Sequence, residues 1–229
     1  SSGTYTLAQD LSSPSYGACI SIQADNVTLD GDGHEMNTSG SSPIADFAIR
    51  TDNASTTIQN ITVNVSGGSG IRTGSDMSTY FYDVDINNTG SGHGLRNFSN
   101  LQYFSGTVTN SGSGRGLGIY SGSIGEIHAT TTNSGTGSGI QNKATINTIS
   151  GAIENSGGYG LWNYGNITDI SGLIINTTTS IDFGVFSSGG TINNISGSIV
   201  NFQSFGIYVG GGANYSVVNF AGKLYNFLG

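Results

Sequence analysis

The stretch Thr109–Leu117 (TNSGSGRGL) returns nearly unchanged twice further along the chain. Its copies are Thr132–Ile140 (TNSGTGSGI) and Glu154–Leu161 (ENSGGYGL), and equivalent residues are 21 to 23 positions apart. A short, steady repeat is typical of solenoid folds, in which each repeat forms one turn that packs only against its neighbours. The repeat therefore predicts a chain wound into stacked turns.

Each turn of the repeat contains an asparagine that precedes a glycine-rich segment. These asparagines are Asn64, Asn88, Asn110, Asn133, Asn155, Asn176, Asn201 and Asn226. A large apolar residue stands six positions earlier, beginning with Ile58, Tyr82 and Phe104. Because equivalent residues of consecutive turns stack, we expect apolar columns inside the solenoid. We also expect a ladder of asparagine amides where strand becomes turn, since stacked amides hydrogen-bond along such a column.

Alternation of apolar and polar residues within each repeat indicates strands, and the constant spacing indicates that they stack in parallel. The sequence thus predicts an all-β fold, a right-handed parallel β-helix of about eight to ten turns of 21 to 25 residues, with no significant helix. We expect one domain over 1–229. It comprises N-terminal turns at 1–36, regular turns at 37–222 and an incomplete last turn at 223–229.

Composition narrows the class of protein. The net charge of −8 argues against nucleic acid as a partner, because nucleic-acid binding requires basic patches. The chain has no apolar run of about 18 residues, so we expect no membrane span. It begins at Ser1, which fits an extracellular protein whose signal peptide has been removed. The single cysteine, Cys19, is expected to be a buried apolar group or one half of an intermolecular link.

The N-terminal sequence carries a family resemblance. Gly3–Leu7 (GTYTL), Cys19–Ile22 (CISI) and Asn26–His34 (NVTLDGDGH) resemble the opening turns of parallel β-helix repeat proteins. That pectate-lyase-like superfamily includes surface-layer and sheath proteins of methanogenic archaea. The resemblance implies a fold and a place at the cell surface, and it implies no particular activity.

One tripeptide resembles a catalytic motif of that superfamily. Gly92-His93-Gly94 looks like the glycine–histidine–glycine motif of polygalacturonases. The same position of the repeat holds Ser69, Arg115, Ser138 and Tyr159 in other turns, so we interpret His93 as a variable turn residue. The paired carboxylates that glycoside hydrolysis requires are also missing. We therefore expect that the protein is not an enzyme and has no cofactor; the alternative is a polysaccharide lyase.

Two kinds of surface site are candidates. Asp76, Asp83 and Asp85 form a candidate site for Ca²⁺, which takes several oxygen ligands; the alternative is a solvated acidic edge. N-glycosylation sequons are numerous, as expected for an exterior protein, and some arise by chance in a chain so rich in Asn, Ser and Thr. They begin at Asn26, Asn37, Asn53, Asn60, Asn64, Asn87, Asn97, Asn166, Asn176, Asn194 and Asn214.

In one outward column, residues of like charge are predicted to stack on one another. It follows the glycine–aliphatic pair by one residue and reads Arg50, Arg72, Arg96, Gly118, Gln141, Trp162, Phe186 and Tyr208. Arginines about 4.8 Å apart repel one another unless an anionic partner lies between them. The column is therefore predicted to bind a glycan or to form a lateral subunit contact. A third interpretation is that loops or aspartates cover it.

The chain ends suggest assembly, because a solenoid exposes an unpaired turn at each end. The expected end-to-end contact joins Ser1, Thr4, Tyr5 and Leu7 to Leu224, Tyr225, Phe227 and Leu228. Head-to-tail contacts of this kind generate filaments. We thus expect a non-enzymatic extracellular structural protein that polymerises with itself into a filament, sheath or surface layer. The alternative is a polysaccharide-binding or lyase-like β-helix.

Overall fold

In a computed structural model, the chain is a parallel β-solenoid of about nine turns. The structure describes residues 1–13, 17–39, 46–52, 55–74, 78–178, 182–202, 205–210 and 216–227, and these ranges contain strands and turns but no helix. All strand pairs are parallel in these ranges, and each strand lies beside its equivalent from the next turn. The predicted all-β solenoid is confirmed.

One side of the solenoid is a nine-stranded sheet with one strand from each turn. Its strands are β3 (Ala18–Ile22), β6 (Phe47–Thr51), β8 (Ser69–Thr73), β10 (Leu95–Asn97), β12 (Leu117–Ile119), β15 (Ile140–Asn142), β18 (Leu161–Asn163), β21 (Val185–Ser187) and β24 (Ile207–Val209).

The remaining strands form a 17-stranded sheet, to which most turns contribute two strands or one long strand. They are β1 (Gly3–Thr6), β2 (Leu11–Ser13), β4 (Val27–Asp30), β5 (Glu35–Thr38), β7 (Thr56–Val65), β9 (Ser78–Asn88), β11 (Asn100–Asn110), β13 (Ser123–Ile127), β14 (Thr130–Asn133), β16 (Thr145–Ile149), β17 (Ala152–Asn155), β19 (Asn166–Ile170), β20 (Leu173–Asn176), β22 (Thr191–Ile195), β23 (Ser198–Phe202), β25 (Ser216–Phe220) and β26 (Lys223–Phe227).

Columns of apolar side chains fill the interior, as the repeat predicts. The column on the nine-stranded sheet runs through residues that pair in register from turn to turn, and all but the first and last are buried. It consists of Ile20, Ile49, Ile71, Leu95, Leu117, Ile140, Leu161, Val185 and Ile207. No single turn can bury its own apolar face, so the stacked turns share one continuous core.

The second apolar column differs from the prediction at one position. Phe81, and not Tyr82, lies between Ile58 and Phe104, while Tyr82 is 39% exposed. The cause is an extra corner residue: Asn60 and Asp83 take left-handed φ values of 51° and 52° in β7 and β9. In β11 the pairing shifts between Phe104 and Gly106, so that strand has one residue fewer there. A fixed count of six residues therefore selects the wrong neighbour in the turn that contains Asp83.

The asparagine ladder is continuous from Asn110 to Asn226. The amide nitrogen of each residue donates to the amide oxygen of the next, at distances of 2.8 to 3.4 Å. The members are Asn110, Asn133, Asn155, Asn176, Asn201 and Asn226. In Asn110, Asn133 and Asn155 the same nitrogen also donates to carbonyl groups of the following glycine turn. The ladder thus satisfies turn carbonyls that lie away from water.

Two predicted ladder members behave differently. Asn88 is buried in line with Asn110, but its nitrogen donates to the Gly68 carbonyl, and its oxygen accepts from the Gly90 backbone. Asn64 is not in this column, because the extra corner residue aligns it with Asn87 and leaves Val65 beside Asn88. It belongs instead to a half-buried outer ladder: its nitrogen donates to Asn37, and it accepts from Asn87.

The turns after the ladder are glycine-rich because they stack in contact. A Cβ added at Gly112 would lie 1.5 Å from the Gly90 carbonyl oxygen, and one added at Gly135 would lie 1.5 Å from that of Gly112. Neither position can accept a side chain without moving the backbone of the neighbouring turn. Turn length varies modestly: equivalent residues are 21 to 24 apart from Ile49 onward, but Ile20 and Ile49 are 29 apart.

A candidate binding face of cations and aromatic rings

The outer surface of the nine-stranded sheet carries the predicted column. Strand pairing places its eight residues side by side from Arg50 to Tyr208, each beside the next. Ser21 precedes Arg50 in the same register. The arginines therefore occupy three consecutive turns, and Trp162, Phe186 and Tyr208 occupy the last three. We call this surface the cation–aromatic face.

Two flanking rows widen this face beyond the column found in the sequence. The first row lies two residues before the inward aliphatic residue of each turn and contains His93, Arg115, Ser138, Tyr159, Phe183 and Phe205. The row after the column contains Asp52, Phe98, Tyr120, Lys143, Tyr164 and Ser188. The second row was missed because its residues have no common type. Only their contacts across turns identify them as one surface.

Charge is segregated on the solenoid. Five of the six Lys and Arg residues lie on the cation–aromatic face, and the sixth is Lys223 in β26. The strands of the 17-stranded sheet contain seven carboxylates and no other Lys or Arg within the described ranges. They are Asp30, Glu35, Asp83, Asp85, Glu126, Glu154 and Asp169. A protein of net charge −8 therefore concentrates its positive charge on one side.

Cations and rings alternate in the first part of the face, which we call the cationic segment. The Arg72 guanidinium lies 5.1 Å from the centre of the Phe98 ring, and that of Arg96 lies 5.6 Å from the same ring. Arg96 is also 5.5 Å from the Tyr120 ring, as is the Lys143 ammonium. A ring between two cations offers its negative face to both, which offsets part of their mutual repulsion.

Carboxylate partners are unevenly distributed among these cations. Asp52 binds both Arg50, through Nε, and Arg72, through Nη1 at 3.3 Å. Burial and the neighbouring Arg50 lower the pKa of Arg72 from its usual value, and Asp52 counteracts them. No described carboxylate lies within salt-bridge distance of Arg96, whose Nε is buried and finds no hydrogen-bond acceptor in the described part of the chain. Asp52 thus neutralises the start of the segment and leaves the rest positive.

His93 is part of this segment and not an isolated motif. Its ring stacks on Tyr120 with 6.0 Å between centroids, and its Nε2 lies 2.6 Å from the Tyr120 hydroxyl. Arg115 Nη1 lies 3.3 Å from both of those atoms. Burial, together with Arg115 and Arg96, lowers the pKa of His93 to about 4, so the ring is neutral at pH 7. These contacts give His93 a structural role between two turns.

The last turns form an aromatic segment in which rings stack on rings. Tyr159 and Phe186 are 4.8 Å apart between centroids, and Phe183 and Tyr208 are 4.7 Å apart. Trp162 meets Tyr159 edge-on at 5.2 Å. Tyr208 is 43% exposed, so water reaches one side of the stack. Such amphipathic rings at a surface are typical of binding sites.

The candidate calcium residues are not gathered into a metal site. One oxygen of Asp85 accepts from both the backbone and the hydroxyl of Thr107 in the next turn, while Asp83 is exposed at its corner. Asp76 lies outside the described residues. Within the ranges that are described, no group of three or more His, Cys, Asp or Glu side chains is arranged to hold a metal ion.

The structure sorts the predicted glycosylation sites by exposure. Asn26, Asn60 and Asn166 are exposed, whereas Asn37, Asn64, Asn87 and Asn194 are half-buried. Asn97 and Asn176 are fully buried and hydrogen-bonded, so neither can carry a glycan in the folded chain. Asn53 and Asn214 lie outside the described residues.

The predicted assembly residues lie on the outermost strands. Ser1, Thr4 and Tyr5 are exposed and Leu7 is half-buried beside β1, which pairs with β4. Leu224, Tyr225 and Phe227 are exposed on β26, which pairs with β23. Leu228 lies outside the described residues. Cys19 is half-buried and packs against the core.

Comparisons with known proteins add no assignment: no family model matches the chain, and neither a curated protein nor a solved structure matches it. Within the described ranges, no helix has the length and apolar character needed to cross a membrane.

Proposed function

We propose that the cation–aromatic face binds an extended anionic polysaccharide, and that the protein is a non-catalytic component of the cell exterior. The observation that carries this proposal is the placement of five of six cations among aromatic rings on one side of an acidic protein. A place among pectate-lyase-like surface proteins is a hypothesis of the same kind, supported by the solenoid architecture.

The spacing of the face suits a linear polymer. Successive turns of a parallel sheet are about 4.8 Å apart, so the face repeats its donors along a straight line. Guanidinium groups pair well with carboxylates or sulfates, because planar donors match their oxygens. Aromatic rings provide apolar surface for the C–H faces of sugar rings. Arg96, which has no carboxylate partner among the described residues, is the residue we expect to contribute most.

Charge segregation also predicts which side the polymer avoids. The seven carboxylates on the described strands of the 17-stranded sheet repel a polyanion, whereas the cation–aromatic face offers it a favourable potential. Because the contacts lie at the surface, their strength falls as salt screens them. Binding should therefore be specific to one face and sensitive to ionic strength.

The test is calorimetric binding of polygalacturonate and of a neutral polymer, dextran, at low and physiological salt. We expect the Arg72→Gln/Arg96→Gln double variant to bind polygalacturonate at least about tenfold more weakly, which is a loss of about 1.4 kcal/mol. Lys223→Gln, which removes a cation from another part of the surface, is the matched control and should bind as the wild type does. Equal binding of both polymers, or an unchanged double variant, would contradict the proposal.

Self-association, the function predicted from the sequence, is the second candidate, and a specific patch supports a lateral form of it. Tyr80, Tyr82 and Tyr103 stack on the 17-stranded sheet, with ring centroids 5.3 and 6.3 Å apart, near Asp83 and Asp85. This acidic, aromatic patch is complementary in charge to the cationic segment of a second copy. Sedimentation tests it: Tyr82→Ser should abolish oligomers if the patch is the contact.

The end-to-end contact stays a prediction. Deleting residues 223–229 should leave a folded monomer that no longer polymerises, measured by electron microscopy and circular dichroism. Polymers that persist unchanged after the deletion would exclude the end-to-end contact.

A further inference from the structure

A notch interrupts the cation–aromatic face where its two segments meet. The flanking row passes from Arg115 to Ser138 to Tyr159 in three successive turns. Ser138 is small and buried, so the two large side chains stand about 10 Å apart, which is twice the strand spacing. In the neighbouring column, the turns of Arg115 and Ser138 carry Gly118 and the buried Gln141, so neither turn has a large side chain projecting there. A notch with a volume of about 460 Å³ opens at the gap over Ser138, between this row and the glycine turns that contain Gly137 and Gly157.

The walls of the notch are chemically different from the cationic segment. One wall is Arg115, whose Nη1 is held by His93 and Tyr120. The opposite wall consists of the rings of Tyr159 and Trp162. Asp182 also lines the notch, and its carboxylate accepts from the Thr178 hydroxyl at 3.4 Å. Among the described residues, the notch therefore contains one cation, Arg115, and one carboxylate, Asp182, whereas the cationic segment contains the other four cations of the face and one carboxylate, that of Asp52.

The rings of the notch are held in place before any ligand binds. Trp162 Nε1 donates to the Ser188 hydroxyl at 3.1 Å, and its ring packs against Tyr164 at 5.0 Å. Tyr159 stacks on Phe183 and Phe186. Burial, followed by the charge of Asp182, raises the pKa of the Tyr159 hydroxyl, so it remains a neutral hydrogen-bond donor. A preformed ring wall costs little conformational entropy on binding.

We infer that the notch binds one uncharged sugar unit of the polymer, while acidic units of the same chain lie along the cationic segment. This inference rests on the proposed function and names the polymer class, which is a glycan that mixes acidic and neutral units. The ring face of the neutral unit packs on Trp162 and Tyr159. Its hydroxyls donate to Asp182 and accept from Arg115, since a hydroxyl does both.

Asp182 is the residue that excludes an acidic unit from the notch. A uronate carboxylate in the notch would lie beside the Asp182 carboxylate, and the repulsion between these like charges offsets the attraction of Arg115. A neutral sugar keeps both of its polar partners and meets no such repulsion. A polymer with a carboxylate on every unit therefore matches the cationic segment but not the notch.

The experiment compares three probes by calorimetry: hyaluronan oligosaccharides, in which uronate and neutral N-acetylhexosamine alternate; oligogalacturonate, with a carboxylate on every unit; and neutral chitooligosaccharides. We expect the wild type to bind the alternating probe at least about tenfold more tightly than oligogalacturonate of equal length. Asp182→Asn should reduce that preference to about twofold or less, because it removes the repulsion. Glu154→Gln, which removes one exposed carboxylate from the 17-stranded sheet, is the charge-matched control and should leave the preference unchanged.

A second variant removes the ring wall without changing charge. Trp162→Ala should weaken the alternating probe about tenfold and oligogalacturonate much less, since stacking in the notch contributes only to the former. Circular dichroism and the thermal midpoint verify that each variant is folded.

Two results separate failure of this inference from failure of the proposed function. If both acidic probes bind equally well and Asp182→Asn changes neither, the notch assignment is wrong, although the anionic-polymer proposal stands. If no acidic probe binds and Arg72→Gln/Arg96→Gln has no effect, both are wrong.

Discussion

The cationic and aromatic segments of the same sheet solve one packing problem in two ways. Both place large outward side chains on every turn, about 4.8 Å apart. In the cationic segment, rings such as Phe98 and Tyr120 separate charges that would otherwise repel. In the aromatic segment, rings such as Tyr159, Phe183 and Phe186 stack directly on one another. The stability of the cationic segment is therefore limited by charge repulsion, while that of the aromatic segment is limited by the exposure of apolar surface.

The largest expected effect is a loss of folding stability at acid pH, and it arises in the cationic segment alone. His93 has a pKa of about 4 in the folded protein and an ordinary value of 6.5 when unfolded, so the unfolded chain takes up the proton first. Its neutral form therefore stabilises the fold above pH 6.5, and this contribution of about 3 kcal/mol is lost as the pH falls towards 4. His93→Gln should flatten the pH dependence of urea unfolding over that window. An unchanged slope would contradict the role of His93.

The next effect belongs to the aromatic segment. Phe186 stacks within 5.4 Å of Phe183 and Tyr208 and within 4.8 Å of Tyr159. Since Phe186 is half-buried, Phe186→Ala should cost about 2 kcal/mol, below the range for a fully buried ring. Unlike changes among the cations, this loss should not depend on salt. Urea unfolding at two salt concentrations checks it, and a salt-dependent loss would be inconsistent with ring stacking.

A smaller effect is expected at the junction between the segments. A Cβ added at Gly118 would lie 2.8 Å from the Tyr120 ring and 2.9 Å from that of His93. Both are side-chain contacts, so Gly118→Ala should shift the rings and cost about 1 kcal/mol, whereas Gly112→Ala would meet backbone and should cost more. Thermal midpoints of the two variants give the comparison. If Gly118→Ala destabilises as much as Gly112→Ala, the rings over Gly118 are not free to move.

The smallest effect is the loss of one cation. Arg96→Gln should change stability by less than about 1 kcal/mol, because it removes two cation–ring contacts and also relieves repulsion from Arg72. The sign of the change should move towards stabilisation as salt is lowered, since repulsion grows when screening weakens. Urea unfolding in low and high salt measures it. A large loss at every salt concentration would mean that the contacts outweigh the repulsion.

The sequence predicts the segments but not the notch between them, and the reason is physical. The column from Arg50 to Tyr208 could be predicted because glycine–aliphatic pairs set its register in every turn. In the sequence, Ser138 and Gln141 are ordinary variants at repeat positions whose residue differs from turn to turn. A gap becomes visible only when the larger side chains that surround it are placed. Asn64 and Tyr82 were misplaced because left-handed corner residues, Asn60 and Asp83, add one residue to the count in each of two turns. A second inward pair, Asn142 and Asn163, hydrogen-bonded to each other at 2.8 Å, was missed although each precedes by two residues the small residue, Ala144 or Gly165, to whose carbonyl it donates.

The asparagine ladder has a mechanical consequence. From Asn110 onward, each amide joins one turn to the next, but the Asn88 nitrogen donates back to Gly68 of the preceding turn, its oxygen accepts from Gly90, and the buried Asn110 oxygen finds no donor among the described residues. In a solenoid, stability is shared only between adjacent turns, so each amide link of the ladder contributes to one interface. Between the turns of Asn88 and Asn110, which lack that link, the long pairing of β9 with β11 and the bonds from Thr107 to Asp85 resist stretching along the axis; beyond Asn110 the ladder adds a side-chain bond at every interface.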